Sequence, residues 1–463
     1  MADTQDLTQG AILGHFRRLA VPAAIGMVFS TLYNVVDVWF AGRLNTDAQA
    51  GMALAFQAIF ILITVGFGLG AAMSSLVGNA LGAREQARAQ TFAAQGVAYG
   101  ILASAALMVF GLVVGPQVIA FLSTPGPYRV AATDYFRLML LAVPGFVLAF
   151  GINGSLQAQG DTKSMQYAMA AAFLANIGLN PLLIYGIKGL IPGFGLAGIA
   201  LATVVSQTGV LLFLFGRLRR SGLGQGLSFS RLTPQRQAFA AITAQLVPTT
   251  FATSVMMIAG LVVQYYMKGF GTAAVAAYGI ALRVEQLFLL PALAITGSLL
   301  PIAAQNYGAG ATDRVRQSLF TCWRIGFAYL ALACPVLWLA APALMGLFTP
   351  DQQVVAVGVS YLHVDGLILP AYMMLFAINS FLQALKKPIW TLWIGLYRQA
   401  FGVAAFSWLY VVGLGFGVEG VWFGIATSVL TGLVLALLVA GRVARSLIGG
   451  LFRRQAAEGA AAE

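Results

Sequence analysis

Long apolar runs dominate this sequence, and short segments rich in Gly, Pro or charged residues separate about twelve of them. A helix of about 20 apolar residues covers the roughly 30 Å hydrocarbon core of a bilayer. The chain is 60% hydrophobic and only 9% charged, whereas soluble proteins carry about 25% charged residues. We therefore expect an all-α polytopic membrane protein with twelve transmembrane helices. The predicted spans are residues 18–41, 52–81, 91–115, 133–159, 166–187, 193–216, 240–267, 275–306, 319–346, 357–385, 391–413 and 417–441.

Lys and Arg are unevenly divided between the two alternating sets of connecting segments. The set that includes the N-terminus carries 18 of the 26, the opposite set carries 4, and the last 4 lie inside predicted helices. Positive residues accumulate on the cytoplasmic side of a membrane. We therefore expect both termini in the cytoplasm, an even number of helices, and a multi-pass location in a bacterial inner membrane.

The chain is duplicated, because a shift of 226 residues superimposes a series of landmarks, and the offset slips to 222 near the C-terminus. Six predicted helices lie in each half, so the halves are parallel repeats, an arrangement that secondary transporters use. We expect two pseudo-symmetric six-helix lobes, 1–216 and 240–446, a basic cytoplasmic linker at 217–239 and a cytoplasmic tail at 447–463. The matching pairs include Pro22 and Pro248, Pro144 and Pro370, Asn153 and Asn379, Gln157 and Gln383, and, at the second offset, Gly195 and Gly417.

The first apolar run, from Leu19 to Phe40, contains one charged residue, Asp37. A carboxylate at depth in a bilayer costs on the order of 2.5–3.5 kcal/mol on insertion scales, so it normally faces a partner, a cation or water. The repeat counterpart of Asp37 is Val263, which confines the function of this acid to the N-terminal half. The alternative is that Asp37 lies at the helix end and reaches the lipid headgroups.

Three polar residues of later helices are predicted at depths similar to that of Asp37. They are Asn176 and Asn180, one turn apart on the fifth helix, and Thr203 on the sixth. A carboxylate, two amides and a hydroxyl offer hard oxygen ligands, which suit Na⁺ or, on a protonated carboxylate, H⁺. If the ion is Na⁺, Asp37 and Asn180 are the expected metal ligands. The alternative is that these side chains are hydrogen-bonding glue between membrane helices.

The C-terminal half has intramembrane charges of its own. Helix 8 contains Arg283 and Glu285, and helix 10 contains His363 and Asp365. Residues two apart do not share a helix face, so His363 and Asp365 are not read as a metal pair or a catalytic dyad. Glu285, Asp365, Arg283 and Tyr372 are candidates for a substrate or polar site of this half. The alternative for Glu285 is a structural ion pair with an arginine.

Signatures of soluble enzymes are absent from the sequence. It contains no P-loop, no zinc-ligand spacing and no G-x-S-x-G motif. Without a nucleotide site, ATP is not the energy source of this chain. We therefore expect a protein that is not an enzyme and has no cofactor, and whose partners are small molecules and the lipid bilayer, with no nucleic acid.

Several segments together resemble the multidrug and toxic compound extrusion (MATE) family over residues 15–445. The resemblance implies two six-helix lobes, alternating access, and export of organic cations or amphipathic drugs by antiport against inward Na⁺ or H⁺. It also implies that Asp37 is the carboxylate of the N-lobe cation site, and that Asn176, Asn180 and Thr203 line that site. The segments that carry it include LAVPAAIGMVFSTLYNVVDVWFAGRL, GLGAAMSSLVGNALGA, LLPIAAQNYGAG, SLQAQGDTKS, FLQALKKP and NIGLNPLLIYG.

The sequence departs from one branch of that family. That branch has a glutamate in helix 7 and an aspartate in helix 10, and the matching positions here are Met256 and Tyr372. The departure favours coupling through the N-terminal lobe alone.

Two other functions compete with multidrug antiport. A flippase for lipid-linked saccharide precursors would use a strongly cationic cavity, for which Arg283, Arg324 and Arg398 are available. A polytopic membrane enzyme would need clustered His, Asp or Glu at a membrane face, and the chain has only two histidines. We expect a monomer, because a closed unit of two lobes needs no partner.

Overall fold

The computed structural model describes residues 5–187, 190 and 192–452, in two compact units, Met1–Ser254 and Val255–Glu463. Twelve long helices account for most of these residues, which confirms the predicted all-α class. They are α1 (Ile12–Leu44), α2 (Thr46–Gly82), α3 (Gln86–Leu122), α4 (Pro127–Ala158), α5 (Lys163–Tyr185), α6 (Leu196–Arg220), α7 (Arg236–Gly269), α8 (Thr272–Gly308), α9 (Thr312–Gly346), α10 (Gln352–Ala384), α11 (389–413) and α12 (Gly417–Ile448).

Eleven of the twelve helices are long and apolar enough to cross a membrane. The remaining one, α11, is continuous but contains two π-helical segments, Leu396–Gly402 and Leu409–Gly413. Most helices extend several residues beyond the predicted spans, as α1 does at Ile12. The predicted spans were bounded by Gly, Pro or charged residues, whereas a helix continues past the hydrocarbon core into the polar interface.

The duplication predicted from the sequence is present in the backbone. Helices α2 and α8 begin 226 residues apart, at Thr46 and Thr272. The left-handed residues that follow α2 and α8 also correspond, at Arg84 and Gly310. The same holds after α4 and α10, at Gly160 and Lys386. A positive φ is strained for a residue with a side chain, so the turn geometry is common to both repeats although glycine occurs in only one member of each pair.

Helices α2 and α4 pack at backbone contact in the first unit. A Cβ atom added to Gly154 would lie 2.0 Å from the carbonyl oxygen of Gly70. Small residues permit such close approach, on which helix packing in membranes depends. The absence of side chains at Gly70 and Gly154 therefore allows α2 and α4 to approach to backbone contact at this crossing.

Hydrogen bonds from glutamine side chains of α3 hold the segment that joins α6 to α7. The buried Gln95 amide donates to the carbonyl oxygens of Arg231 and Thr233 at 2.6 and 2.8 Å. Its Oε1 accepts from the backbone N–H of Gln235 at 2.8 Å. Gln86 and Gln90 both donate to the carbonyl oxygen of Gly222. The linker is therefore held against α3 by these hydrogen bonds.

We expect Gln95→Ala to release the linker between α6 and α7 from α3. The substitution removes three hydrogen bonds, each of which contributes about 0.5–1.5 kcal/mol net. A total loss of about 1–3 kcal/mol corresponds to a roughly 5- to 150-fold larger open fraction. Limited trypsin digestion at Arg231 and Arg236 should therefore be at least about fivefold faster. Gln86→Ala is the matched control, since it removes one exposed bond while Gln90 still holds Gly222. Equal cleavage of Gln95→Ala and wild type would show that the attachment of the linker to α3 does not depend on Gln95.

The two compact units meet in sequence inside α7, between Ser254 and Val255. The sequence-based division into lobes at 1–216 and 240–446, with a linker at 217–239, stays a prediction. Of the predicted tail, 447–463, the part from 453 onward lies outside the described residues. So do Lys188, Arg453 and Arg454, which contribute to the charge asymmetry of the connecting segments.

Candidate functional site

Asp37 is a buried residue in the interior of α1. Its side chain is 6% exposed, and the helix continues for seven residues to Leu44. It therefore does not lie at the helix end, and the interpretation that its carboxylate reaches lipid headgroups is wrong. The arrangement places an ionisable group inside the helix packing of the first unit, where only specific partners compensate its charge.

The predicted partners of Asp37 do surround it. Asn180 Nδ2 donates to Asp37 Oδ1 at 2.8 Å, and Thr203 Oγ1 donates to Asp37 Oδ2 at 3.3 Å. Asn180 Nδ2 also lies 3.0 Å from Asn176 Oδ1, one turn earlier on α5. Asn176, Asn180 and Thr203 are all buried. Three helices, α1, α5 and α6, thus meet at one carboxylate, and each of its two oxygens accepts a hydrogen bond.

Four buried polar atoms around this carboxylate make no hydrogen bond within the described part of the chain: Tyr33 Oη, Asn176 Nδ2, Asn180 Oδ1 and Ser206 Oγ. The Tyr33 hydroxyl faces Thr203, Ser206 and Asn176, without hydrogen-bond geometry to any of them. Buried polar groups are normally paired. The described residues therefore leave unused hydrogen-bond donors and acceptors at one point beside Asp37.

Sequence reasoning missed Tyr33 and Ser206. Tyr33 lies four residues before Asp37 on α1, and Ser206 lies three residues after Thr203 on α6. Residues three or four apart are neighbours on a helix surface. The signal was therefore available as soon as Asp37 and Thr203 had been selected.

Pro181 lies inside α5 directly after Asn180. Proline has no N–H, so the carbonyl of residue 177 loses its usual helical partner at this point. This carbonyl is one turn from Asn180, on the helix that carries both amides. The carbonyl oxygen of residue 177 is therefore a further hydrogen-bond acceptor near Asn180.

A second polar cluster lies within the second unit, on α8, α10 and α11. The Tyr361 hydroxyl donates to Glu285 Oε2 at 2.6 Å. Asp365 lies one turn after Tyr361 and is 1% exposed. The Arg398 guanidinium carbon lies 5.4 Å from the centre of the Tyr372 ring. The structure therefore brings the buried Glu285 and Asp365 into one neighbourhood with the half-buried Tyr372, to which it adds the buried Arg398.

Arg283 does not belong to this cluster, contrary to its grouping with Glu285 in the prediction. Its side chain is exposed, while Glu285 is buried. The reason is helical geometry, since residues two apart point in nearly opposite directions. Glu285 makes no direct ion pair in the described segments, because no arginine there lies within 4.0 Å of its carboxylate.

The two positions that depart from the branch with a C-lobe site have different environments. Met256 on α7 is exposed, and Tyr372 on α10 contacts Arg398. His363 on α10 stacks on Trp338 and contacts its carbonyl oxygen, so it is not oriented as a partner of Asp365. Within the described ranges, no three His, Cys, Asp or Glu side chains are arranged to hold a metal ion.

The family model described as MatE matches two stretches of this chain, residues 22–182 and 248–409. The stretches begin 226 residues apart, at Pro22 and Pro248, which is the offset of the internal duplication. They cover more than half of the sequence.

Two bacterial relatives are similar over nearly the whole chain. The FAD transporter of Shewanella oneidensis is 27% identical over 86% of this chain and 88% of its own. The multidrug export protein MepA of Staphylococcus aureus is 23% identical over 91% of this chain and 92% of its own.

Solved structures share the fold. A crystal structure of MATE in complex with MaL6 matches with a TM-score of 0.89 at 23% identity, over 96% of this chain and 99% of the other. A transporter of the MOP superfamily from Pyrococcus furiosus also matches with a TM-score of 0.89 at 23% identity, over 96% and 98% of the two chains. The twelve helices in two pseudo-symmetric lobes, predicted from the sequence, are thus the fold of this chain.

Proposed function

The chain belongs to the MatE family of multi-pass membrane transporters, and on this premise we propose that it exports cationic or amphipathic small molecules by antiport against H⁺ or Na⁺. The observation that carries this proposal is the buried Asp37, with Asn180 and Thr203 on its two oxygens. Membership in a transporter family agrees with the expectation that the chain is not an enzyme.

The proposed coupling step is a rotation of the Asn180 amide. In the structure its N–H faces the carboxylate of Asp37, while its Oδ1 has no partner. When Asp37 takes up a cation from outside, a half-turn of the amide brings Oδ1 to the proton or to the metal ion. Asn176 can turn with it, because its own unpaired Nδ2 then donates to Asn180. In both arrangements the two amides bond to each other and Asn180 bonds to Asp37, which makes the site bistable.

The charge of Asp37 determines which step of the transport cycle is favourable. An ionised Asp37 is costly among apolar helices, and cation uptake removes that cost. The change of hydrogen bonds then alters how α1 packs against α5 and α6, which favours release of the drug outside. A negative membrane potential assists inward movement of the cation by about 2.3 kcal/mol per charge per 100 mV.

Both coupling ions fit the residues of the site. A proton needs only Asp37 and an acceptor such as Asn180 Oδ1. Na⁺ needs several oxygens, for which Asp37, Asn180, Thr203 and the carbonyl of residue 177 are available. The choice between the two ions is therefore made by experiment.

The substrate proposal rests on relatives. MepA is described as a multidrug export protein, which supports organic cations and amphipathic drugs as substrates. The relative described as an FAD transporter supports a second candidate, export of a flavin dinucleotide. The flippase alternative has less support, because Arg283 and Arg324 are exposed while Arg398 is buried, so the three do not form one basic cluster. We also propose a monomer with both termini in the cytoplasm.

We expect energised vesicles that contain the protein to move ethidium under one imposed cation gradient. The measurement compares a Na⁺ gradient at constant pH with a pH gradient in Na⁺-free medium. Transport that follows one gradient identifies the coupling ion. A parallel assay with FAD distinguishes the two substrate classes, since FAD movement without ethidium movement favours the dinucleotide. No transport of either compound by folded protein would contradict the proposal.

A further inference from the structure

Two buried acids in the second unit are not explained by coupling through Asp37. Glu285 of α8 and Asp365 of α10 are both more than nine-tenths buried. Neither oxygen of Asp365 has a hydrogen-bond partner in the described part of the molecule. A buried carboxylate without a partner is costly when ionised, and a protein relieves this cost by pairing or neutralising it. Asp365 therefore has a strong reason to hold a proton.

Glu285 has the opposite environment. The Tyr361 hydroxyl donates to its Oε2 at 2.6 Å, and a donated hydrogen bond stabilises an ionised carboxylate. Asp365 lies one helical turn after Tyr361, whose hydroxyl bonds Glu285, so the two acids are neighbours. Like charges at short range oppose each other, so one member of such a pair holds a proton while the other is ionised. Hydrogen bonding selects Glu285 as the ionised member.

Arg398 of α11 supplies a positive charge at this point. Its side chain is 9% exposed and acts electrostatically on Glu285, although no carboxylate of the described residues lies within 4.0 Å of it. Its aliphatic stem packs where Gly432 of α12 leaves space. Its carbonyl lies in the first π-helical segment and accepts from Ser428 Oγ at 2.5 Å. Such π-helical turns occur frequently at functional sites.

The other ionisable neighbours cannot replace Arg398. Tyr278 of α8, Tyr361 and Tyr372 of α10 and Cys334 of α9 are the remaining groups that interact electrostatically with the two acids. Tyrosine and cysteine carry no positive charge in either protonation state. Two carboxylates and one guanidinium have a net charge of −1, which one proton neutralises.

The internal repeat adds an independent argument. Tyr361 is the counterpart of Tyr135, at an offset of 226, and both are buried. Tyr135 lies within electrostatic reach of Asp37, as Tyr361 does of Glu285. The acids themselves do not correspond, since Glu285 matches Ile59 and Asp365 matches Met139. Each unit has thus placed a different acid beside the same tyrosine position.

We propose that Glu285 and Asp365 form a proton-binding site of the second unit, with the proton on Asp365 and Arg398 as the counter-ion of Glu285. The site is separate from Asp37 and does not depend on how the first unit is coupled. It is also built from positions other than Met256 and Tyr372, where a branch of the family has its acidic pair.

Infrared spectroscopy of the purified, lipid-reconstituted chain tests the proton directly. All samples carry Asp37→Asn, which removes the buried acid of the first unit. We expect a carboxylic acid C=O stretching band at neutral pH that disappears when Asp365→Asn is added. The matched control is Asp134→Asn, an exposed acid, which should leave the band intact. A band that survives Asp365→Asn would overturn the proposal, and so would a band that disappears when Na⁺ replaces choline at constant pH.

A double-mutant cycle tests the role of Arg398 without any transport assay. Arg398→Gln should lower the Tm of the purified protein, because Glu285 then carries an uncompensated buried charge. Adding Glu285→Gln should recover most of that loss, since the charge is gone. Losses that simply add would show that Arg398 is not the counter-ion of Glu285. Both measurements are independent of efflux, so a failed antiport proposal would leave their outcome interpretable.

Discussion

Asp37→Asn is expected to abolish gradient-driven efflux, to the level of vesicles without protein, while the variant still folds. The asparagine is nearly isosteric: its carbonyl oxygen accepts from Thr203 or Asn180, and its amide N–H donates to an oxygen of the other, so the packing of α1 against α5 and α6 is preserved. It also removes the cost of burying a charge, so the Tm should be unchanged or higher. What the variant lacks is a group that can bind and release a cation. Efflux of ethidium and the Tm are measured on the same preparation.

The matched control is Asp47→Asn, an exposed acid in the first turn of α2. It removes the same charge from the same unit and should transport at the wild-type rate. Full drug resistance in cells that express Asp37→Asn would show that coupling does not use this carboxylate. A variant that neither folds nor transports would instead support the interpretation of the cluster as interhelical glue.

Gly154→Ala is expected to disrupt the first unit. The added methyl group would lie 2.0 Å from the Gly70 carbonyl oxygen and 2.8 Å from its carbon. Backbone atoms cannot rotate away as a side chain can, so α2 and α4 must separate. Overpacking a well-packed interior typically costs about 1–3 kcal/mol and sometimes more. A lower Tm and a smaller yield of monodisperse protein are the expected results.

Gly209→Ala provides a control of opposite sign on α6. No heavy atom lies within 4 Å of the position that its Cβ would take, so no clash results. Alanine is about 0.5–1 kcal/mol better than glycine inside a helix, so the Tm should stay the same or rise. A Tm for Gly154→Ala equal to that of wild type would mean that the α2–α4 crossing adapts without cost.

The duplicated architecture explains why the two halves carry different chemistry on the same scaffold. The turns after α2 and α4 recur after α8 and α10, with a left-handed residue at the corresponding position. At the functional positions, however, Asp37 is matched by a buried Val263. Helix packing requires only that such a position be filled, so one repeat can hold an acid where the other holds an aliphatic side chain.

Local composition was sufficient to predict the helices and their duplication. Apolar runs of about 20 residues have one stable form in a bilayer, because backbone groups must be satisfied within the segment. A recurring offset of 226 then implied parallel repeats, and proline and glycine positions such as Pro22 and Pro248 were enough to find it. Asp37, Asn176, Asn180 and Thr203 were accessible in the same way, because polar residues are rare in such runs and their depths can be counted.

Tertiary structure alone decided which polar groups meet. Arg283 and Glu285 are neighbours in sequence, yet one is exposed and the other is buried beside Tyr361, because the direction of a side chain depends on helix rotation. Arg398 of α11 lies beside Tyr372 of α10 and within electrostatic reach of Glu285 of α8 only in the folded chain, which composition does not encode. The depth of a residue in the membrane can be counted along its helix from the sequence. The rotation of each helix and its contacts with other helices are fixed only when the helices pack together.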